Sequence, residues 1–224
     1  MFKISVLIEN TSIGNKFLSE HGLSLFLDVE GYNIVFDFGQ SENYLKNAVL
    51  MNIDLKEADV AVISHGHYDH TGGVNAFINI NEKAFVFIGQ SAFYPRYNVK
   101  DIHNLQENNS YGEEIGIQEE IKKNLIGSKR LKVINSPLMI KETIMLSGPI
   151  PRKNHETKTP FIININGEYK DDPVLDEQFI IIKREKGYYI FTGCCHAGIK
   201  NTVEYARYLM PEEKLLGLIG GLHL

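Results

Sequence analysis

The sequence predicts an α/β fold on three observations. Apolar runs rich in valine, isoleucine and phenylalanine recur at strand length. Turn signals such as Glu30-Gly31, Asn166-Gly167 and Lys186-Gly187 fall between neighbouring runs, and apolar residues take helical spacing over 41–51 and 201–210. A chain of 224 residues with 43% hydrophobic and 23% charged residues has the composition of a globular protein, which excludes disordered and fibrous classes. One domain over 1–224 is expected, since this length supports a single core.

Residues 1–9 read as the first strand, because they lack the charged start, long apolar core and cleavage site of a secretory leader. Turn-rich residues 10–15 follow. Residues 23–29 and 32–36 then form a hairpin across Glu30-Gly31, so the chain begins antiparallel. Residues 41–51 carry Tyr44, Leu45, Ala48, Val49 and Met51 at helical spacing, with Ser41 available as the cap. The β-branched run 58–63 reads as a buried strand.

That strand delivers Ser64-His65-Gly66-His67-Tyr68-Asp69-His70-Thr71-Gly72-Gly73, which packs three of the chain's eight histidines and a carboxylate into six positions. A polar loop is the plain alternative, but such clustering favours a metal centre of one ion or two adjacent ions. Zinc is the first expectation, with manganese and iron as alternatives that accept the same ligands. Residues 74–78 open a helix and 84–88 form another strand. The stretch 94–156 is expected to hold an insertion or lid, with helical spacing over 115–125 and a strand at 131–134. Within it His103 reads as a surface residue, and His155 is a weaker ligand candidate because nothing in its spacing demands a metal.

Strands at 161–165, 178–182 and 188–192 are expected to form a second sheet. It delivers Gly193-Cys194-Cys195-His196 as the earlier strand delivers His65. A helix over 201–210 is stopped by Pro211, and a last strand over 215–219 presents His223 at its carboxyl end. Adjacent Cys194 and Cys195 suit no ordinary structural disulfide, which fits reducing, cytoplasmic surroundings. No apolar stretch approaches the length of a membrane span. The net charge of −5 gives no footprint for nucleic acid, so a small, anionic substrate is the expected partner, with a homo-oligomer as the remaining option.

The pattern His65-x-His67-x-Asp69-His70 is similar to the signature of the metallo-β-lactamase superfamily. Six further segments resemble its dihydropterin ribofuranosyl-aminobenzene phosphate synthase-like group. They are Glu20-His21-Gly22-Leu23-Ser24, Phe36-Asp37-Phe38-Gly39-Gln40-Ser41, Gly148-Pro149-Ile150-Pro151-Arg152, Asp176-Glu177-Gln178, Thr192-Gly193-Cys194-Cys195-His196-Ala197-Gly198-Ile199 and Gly220-Gly221-Leu222-His223-Leu224. The resemblance implies an αββα sandwich of two mixed sheets flanked by helices, with one or two metals at one edge. It implies that Asp37 accepts hydrogen bonds from the histidine loop; a simple turn aspartate is the competing reading. It gives His65, His67 and His196 to one metal and Asp69, His70 and His223 to a second, each strand-end histidine competing with one merely hydrogen-bonded at a turn. Superfamily members usually carry an aspartate where Cys194 stands, and this thiol reads either as a ligand or as a small buried residue. The group's members continue beyond the Gly-Gly-x-His-Leu motif, so a C-terminal truncation is expected at Leu224.

The chemistry this implies is metal-dependent hydrolysis of an ester or phosphoester by a metal-activated water, with Asp69 as general base. Pterin-ribosyl-aminobenzene phosphate synthesis is a more specific extension. Arg152, Lys153 and Lys158 are candidates to bind a phosphate. Two rivals remain: a noncatalytic metal-binding domain, and a flavodiiron-like redox protein. The latter branch resembles His-x-Glu-x-Asp, whereas His67 fills the Glu position here.

Overall fold

A computed structural model describes residues 2–12, 14–98, 112–153 and 159–222. The chain divides into two compact units, Met1–Gln90 with Ile117–Asn135, and Ser91–Gly116 with Ser136–Leu224.

Among the described residues of the first unit, a six-stranded sheet contains β1 (Phe2–Ile8), β2 (Ser24–Val29), β3 (Tyr32–Phe36), β4 (Val60–Val62), β5 (Phe85–Gly89) and β8 (Leu131–Ile134), in that spatial order. β1, β2 and β3 pair antiparallel; β3, β4, β5 and β8 pair parallel. The β2–β3 hairpin turns where the sequence places it. Glu30 and Gly31 both take positive φ, 58° and 87°, the backbone hand that matches strand twist in a two-residue loop. β4 is buried at every position, as expected for an inner parallel strand.

Helices α1 (Asn43–Leu50), α2 (Tyr68–Thr71), α3 (Val74–Ile80) and α4 (Glu119–Gly127) belong to this unit. The capping of α1 differs from the sequence expectation. Ser41 Oγ does accept the Asn43 N–H at 3.2 Å, but the Glu20 carboxylate takes the N–H groups of Gln40 and Ser41 at 3.1 and 3.0 Å. Those groups precede Glu42, the N-cap, so a long-range carboxylate braces the turn that leads into the helix, which local sequence does not announce.

In the second unit, a five-stranded sheet among the described residues contains β9 (Leu138–Lys141), β10 (Ile144–Leu146), β13 (Phe179–Arg184), β14 (Gly187–Thr192) and β15 (Leu215–Gly220), in the order β15-β14-β13-β10-β9. Helix α5 (Ile199–Leu209) links β14 to the parallel β15. Its Ala206 packs with Phe179, Ile181, Tyr188 and Ile190 in a buried cluster. A four-stranded sheet contains β6 (Arg96–Asn98), β7 (Glu113–Glu114), β11 (Phe161–Ile165) and β12 (Glu168–Asp171), in the order β12-β11-β6-β7.

β11 is therefore not in the sheet expected for it. The Asn166-Gly167 turn, with φ of 54° and 93°, folds it back onto β12, while β10 takes the place beside β13. Alternation along a run identifies a strand, but its partner is chosen by which apolar faces are buried together. The turn between β13 and β14 also falls one residue earlier than expected, on Glu185-Lys186, because Gly187 pairs with Arg184. Within 94–156, α4 and β8 belong to the first unit, and β6, β7, β9 and β10 to the second. No helix among the described residues is long and apolar enough to cross a membrane.

Candidate metal centre

The histidine loop begins where β4 ends. Asp37 follows β3, and its N–H donates to Val62 O at 2.9 Å, joining the ends of two parallel strands. Its φ of 60° is unusual for a residue other than glycine. Such strain persists only where surrounding contacts hold it, and here three do. Asp37 Oδ1 accepts the Ser64 N–H at 2.7 Å, and Oδ2 accepts both Ser64 Oγ–H and His70 Nδ1–H at 2.7 Å. The carboxylate is fully buried and pins both ends of the loop.

This arrangement assigns two tautomers. The single hydroxyl proton of Ser64 goes to the Asp37 carboxylate, so Ser64 Oγ accepts from His65 Nδ1–H at 2.8 Å, leaving His65 Nε2 as the ligand-type nitrogen. By the same reasoning His70, which donates from Nδ1 to Asp37, presents Nε2 as an acceptor. That nitrogen stands 3.3 Å from Asp69 Oδ2, also an acceptor. Meanwhile His65 Nε2 lies 3.1 Å from His67 Nδ1, and the His65 ring centroid lies 4.3 Å from that of His70.

Two buried acceptors held this close, His70 Nε2 and Asp69 Oδ2, repel unless a cation lies near them. Two nitrogens bound to one tetrahedral zinc, at about 2.0 to 2.1 Å each, stand roughly 3.3 Å apart, close to the His65–His67 separation. The donor set therefore fits a divalent metal.

Backbone packing fixes the far side of the loop. Phe38 N–H donates to His70 O at 3.0 Å and Gly72 N–H to Gly39 O at 3.0 Å. A Cβ on Gly72 would lie 2.1 Å from Gln40 O, so only glycine permits this approach. Tyr44, fully buried, donates its hydroxyl to Gly73 O at 3.1 Å.

In the second unit, His196 follows β14 on a turn gripped by Glu177. Its Oε1 accepts the His196 N–H at 2.7 Å and its Oε2 the Ala197 N–H at 2.6 Å. Burial pushes the Glu177 carboxyl up to about 7, against the pull of Arg152 and the two N–H groups. Cys195 is buried with a φ of 59°, and burial raises its thiol to about 11, which marks it as a packing residue rather than a thiolate. Cys194 is half-buried. Gly221 N–H donates to Gly193 O at 2.7 Å, so the chain after β15 runs beside the chain after β14.

Asp37, His65, His67, Asp69 and His70 are thus brought together within the first unit, while His196 stands at a strand end of the second. His223, His103, His155 and Lys158 lie outside the described residues. Arg152 is not available as the sequence reading supposed. Its guanidinium donates to the carbonyls of Ile150, Pro173 and Val174 and stands 3.6 Å from Glu177. Lys153 Nζ lies 5.8 Å from the Tyr208 ring centroid. Residue-by-residue reading gave no individual role to Ser64, His21 and Glu177; the only signal for the last two was their place in the short segments Glu20-His21-Gly22-Leu23-Ser24 and Asp176-Glu177-Gln178.

Residues 20–132 match the sequence profile of the metallo-beta-lactamase superfamily. The chain is 34% identical to an uncharacterized protein of Methanocaldococcus jannaschii, over 99% of this chain and 79% of the relative. It is 31% identical to 7,8-dihydropterin-6-methyl-4-(beta-D-ribofuranosyl)-aminobenzene-5'-phosphate synthase of the same organism, over 99% of this chain and 77% of the relative. Among solved structures, it resembles Tm1679, described as a metal-dependent hydrolase of the beta-lactamase superfamily, with a TM-score of 0.79 and 28% identity over 100% of this chain and 77% of the other.

Proposed function

The chain belongs to the metallo-β-lactamase superfamily, and on that premise we propose that it is a metal-dependent hydrolase acting on an ester or phosphoester of a small, anionic molecule. One observation carries the reading: Asp37 and Ser64 orient His70 and His65 so that their Nε2 atoms join Asp69 and His67 in a buried cluster of ligand-type side chains. A noncatalytic domain also needs ligands, but Asp69 offers more than a ligand. Its carboxylate is also the acid–base group of the cluster, with Oδ2 3.3 Å from His70 Nε2 and 3.4 Å from His21 Nε2.

In this reading His65, His67, Asp69 and His70 hold one or two ions, zinc first and manganese or iron otherwise. The strand-end histidines His196 and His223 are proposed as further ligands. A bound ion supplies Lewis acidity toward water and toward an anionic substrate oxygen. Asp69 accepts the proton of the attacking water, and Asp37 keeps His70 in its tautomer throughout. The fixed turn at Glu177 holds the His196 backbone in one place. The two free, adjacent cysteines suit the reducing cytoplasm as its setting.

A second, narrower reading is the reaction for which the relative at 31% identity is named, the synthesis of a dihydropterin ribofuranosyl-aminobenzene phosphate. The test covers both. Purified protein is assayed for metal and then against esters, lactones, phosphodiesters and the pterin and ribosyl-aminobenzene phosphate pair. One or two equivalents of metal and hydrolytic turnover are expected, with Asp69→Asn losing far more rate than metal. Metal binding without turnover on any substrate would favour the noncatalytic domain, and turnover confined to the pterin pair would favour the synthase.

A further inference from the structure

His21 is an exposed histidine whose backbone is fixed on both sides. On one side Glu20 is immobilised: besides its two bonds to the Gln40 and Ser41 N–H groups, its Oε2 accepts Ser41 Oγ–H at 2.6 Å and Asn43 Nδ2–H at 2.8 Å. Its own N–H donates to Glu9 O at 3.1 Å. On the other side Gly22 donates to Asn10 Oδ1 at 3.0 Å and lies so close to the Asp69 backbone that a Cβ would stand 2.0 Å from Asp69 O. Leu23 N–H approaches the same carbonyl at 3.4 Å.

The imidazole set between these points keeps 61% of its side-chain surface exposed, yet its Nε2 stands 3.4 Å from Asp69 Oδ2. A surface histidine gains little by being held in one place, and holding it costs conformational entropy. A carboxylate that must accept a proton from one direction does gain from a fixed donor. His70 Nε2 lies 3.3 Å from Asp69 Oδ2 on the buried side without a proton to give it, and His21 meets the same oxygen from an exposed position.

We propose that His21 is a positioning residue for Asp69, its Nε2 fixing the orientation of the carboxylate that serves as base. The role rests on the hydrolase reading for its effect on rate, but not for its effect on the carboxylate.

The test compares wild type, His21→Ala and His21→Gln, the last retaining a neutral N–H donor. Each is loaded with cobalt(II) and measured for metal equivalents, visible absorption, thermal midpoint, and kcat and KM on an ester that the wild type cleaves. For His21→Ala the expected result is unchanged metal content and midpoint, displaced cobalt bands, kcat lower by about 10- to 100-fold and KM within about threefold, with His21→Gln recovering part of the rate. Bands and kcat identical to wild type would overturn the proposal. So would a parallel loss of metal and midpoint in both variants, which would make His21 structural. Should the wild type cleave nothing, the hydrolase reading fails by itself, and the cobalt bands still decide whether His21 orients Asp69.

Discussion

Asp37 and Glu177 are buried carboxylates that act through other groups, one in each unit. Replacing Asp37 with Asn puts an amide donor against Ser64 or His70, both of which must donate at that point. The His70 ring then loses its fixed tautomer, and metal affinity should fall by about 10- to 100-fold in competition titrations. Glu177→Ala leaves two buried N–H groups, those of His196 and Ala197, without acceptors. It should cost about 1 to 3 kcal/mol for each group in urea unfolding. Glu177→Gln keeps one acceptor oxygen and removes the burial cost of the charge, so its loss should be smaller. Comparable losses in the two variants would show that the charge, not the hydrogen bonds, matters there.

Strands and helices were mostly visible in the sequence, but their partners and ends were not. β8 occurs where its four-residue apolar pattern predicted, whereas the run 58–63 contributes only Val60–Val62 to β4, the rest being spent on its connections. Long-range groups brace these ends: Glu20 holds the turn before α1, and the Asp37 N–H bonds Val62 O at the end of β4. The loop 172–176 is anchored in the same manner. Arg96 of β6 is fully buried and donates to Asp172 at 2.6 Å and also to Asp176. Burial works against its charge, but Asp176 and Asp172 outweigh it and raise its pKa further. Arg96→Met would strand two buried carboxylates and should destabilise the protein by about 3 to 5 kcal/mol, seen as a lower denaturation midpoint. At the histidine loop, Gly72→Ala should force the Gln40 carbonyl aside and reduce metal content along with thermal stability.

For the whole molecule, the metal is the term to measure. A ligand that binds only the folded chain stabilises it, by about 2.7 kcal/mol at a hundred times its dissociation constant. Chelation should therefore lower the thermal midpoint, and zinc should restore it. His65→Ala with His67→Ala should abolish that difference while far-ultraviolet circular dichroism stays unchanged, because the strands do not depend on the loop. By itself the sequence determined the α/β class, the hairpin at Glu30-Gly31 and the histidine loop at a strand end, since these rest on local periodicity, turn chemistry and ligand types adjacent in the chain. It also carried the superfamily, because that signature lies within six positions. Only the tertiary structure decided that β10 rather than β11 pairs with β13, that Arg152 is engaged by backbone carbonyls, and that His21 meets Asp69. Each of these joins residues far apart in the chain, and such a contact is selected by which groups must be buried and satisfied together, a condition no local pattern encodes.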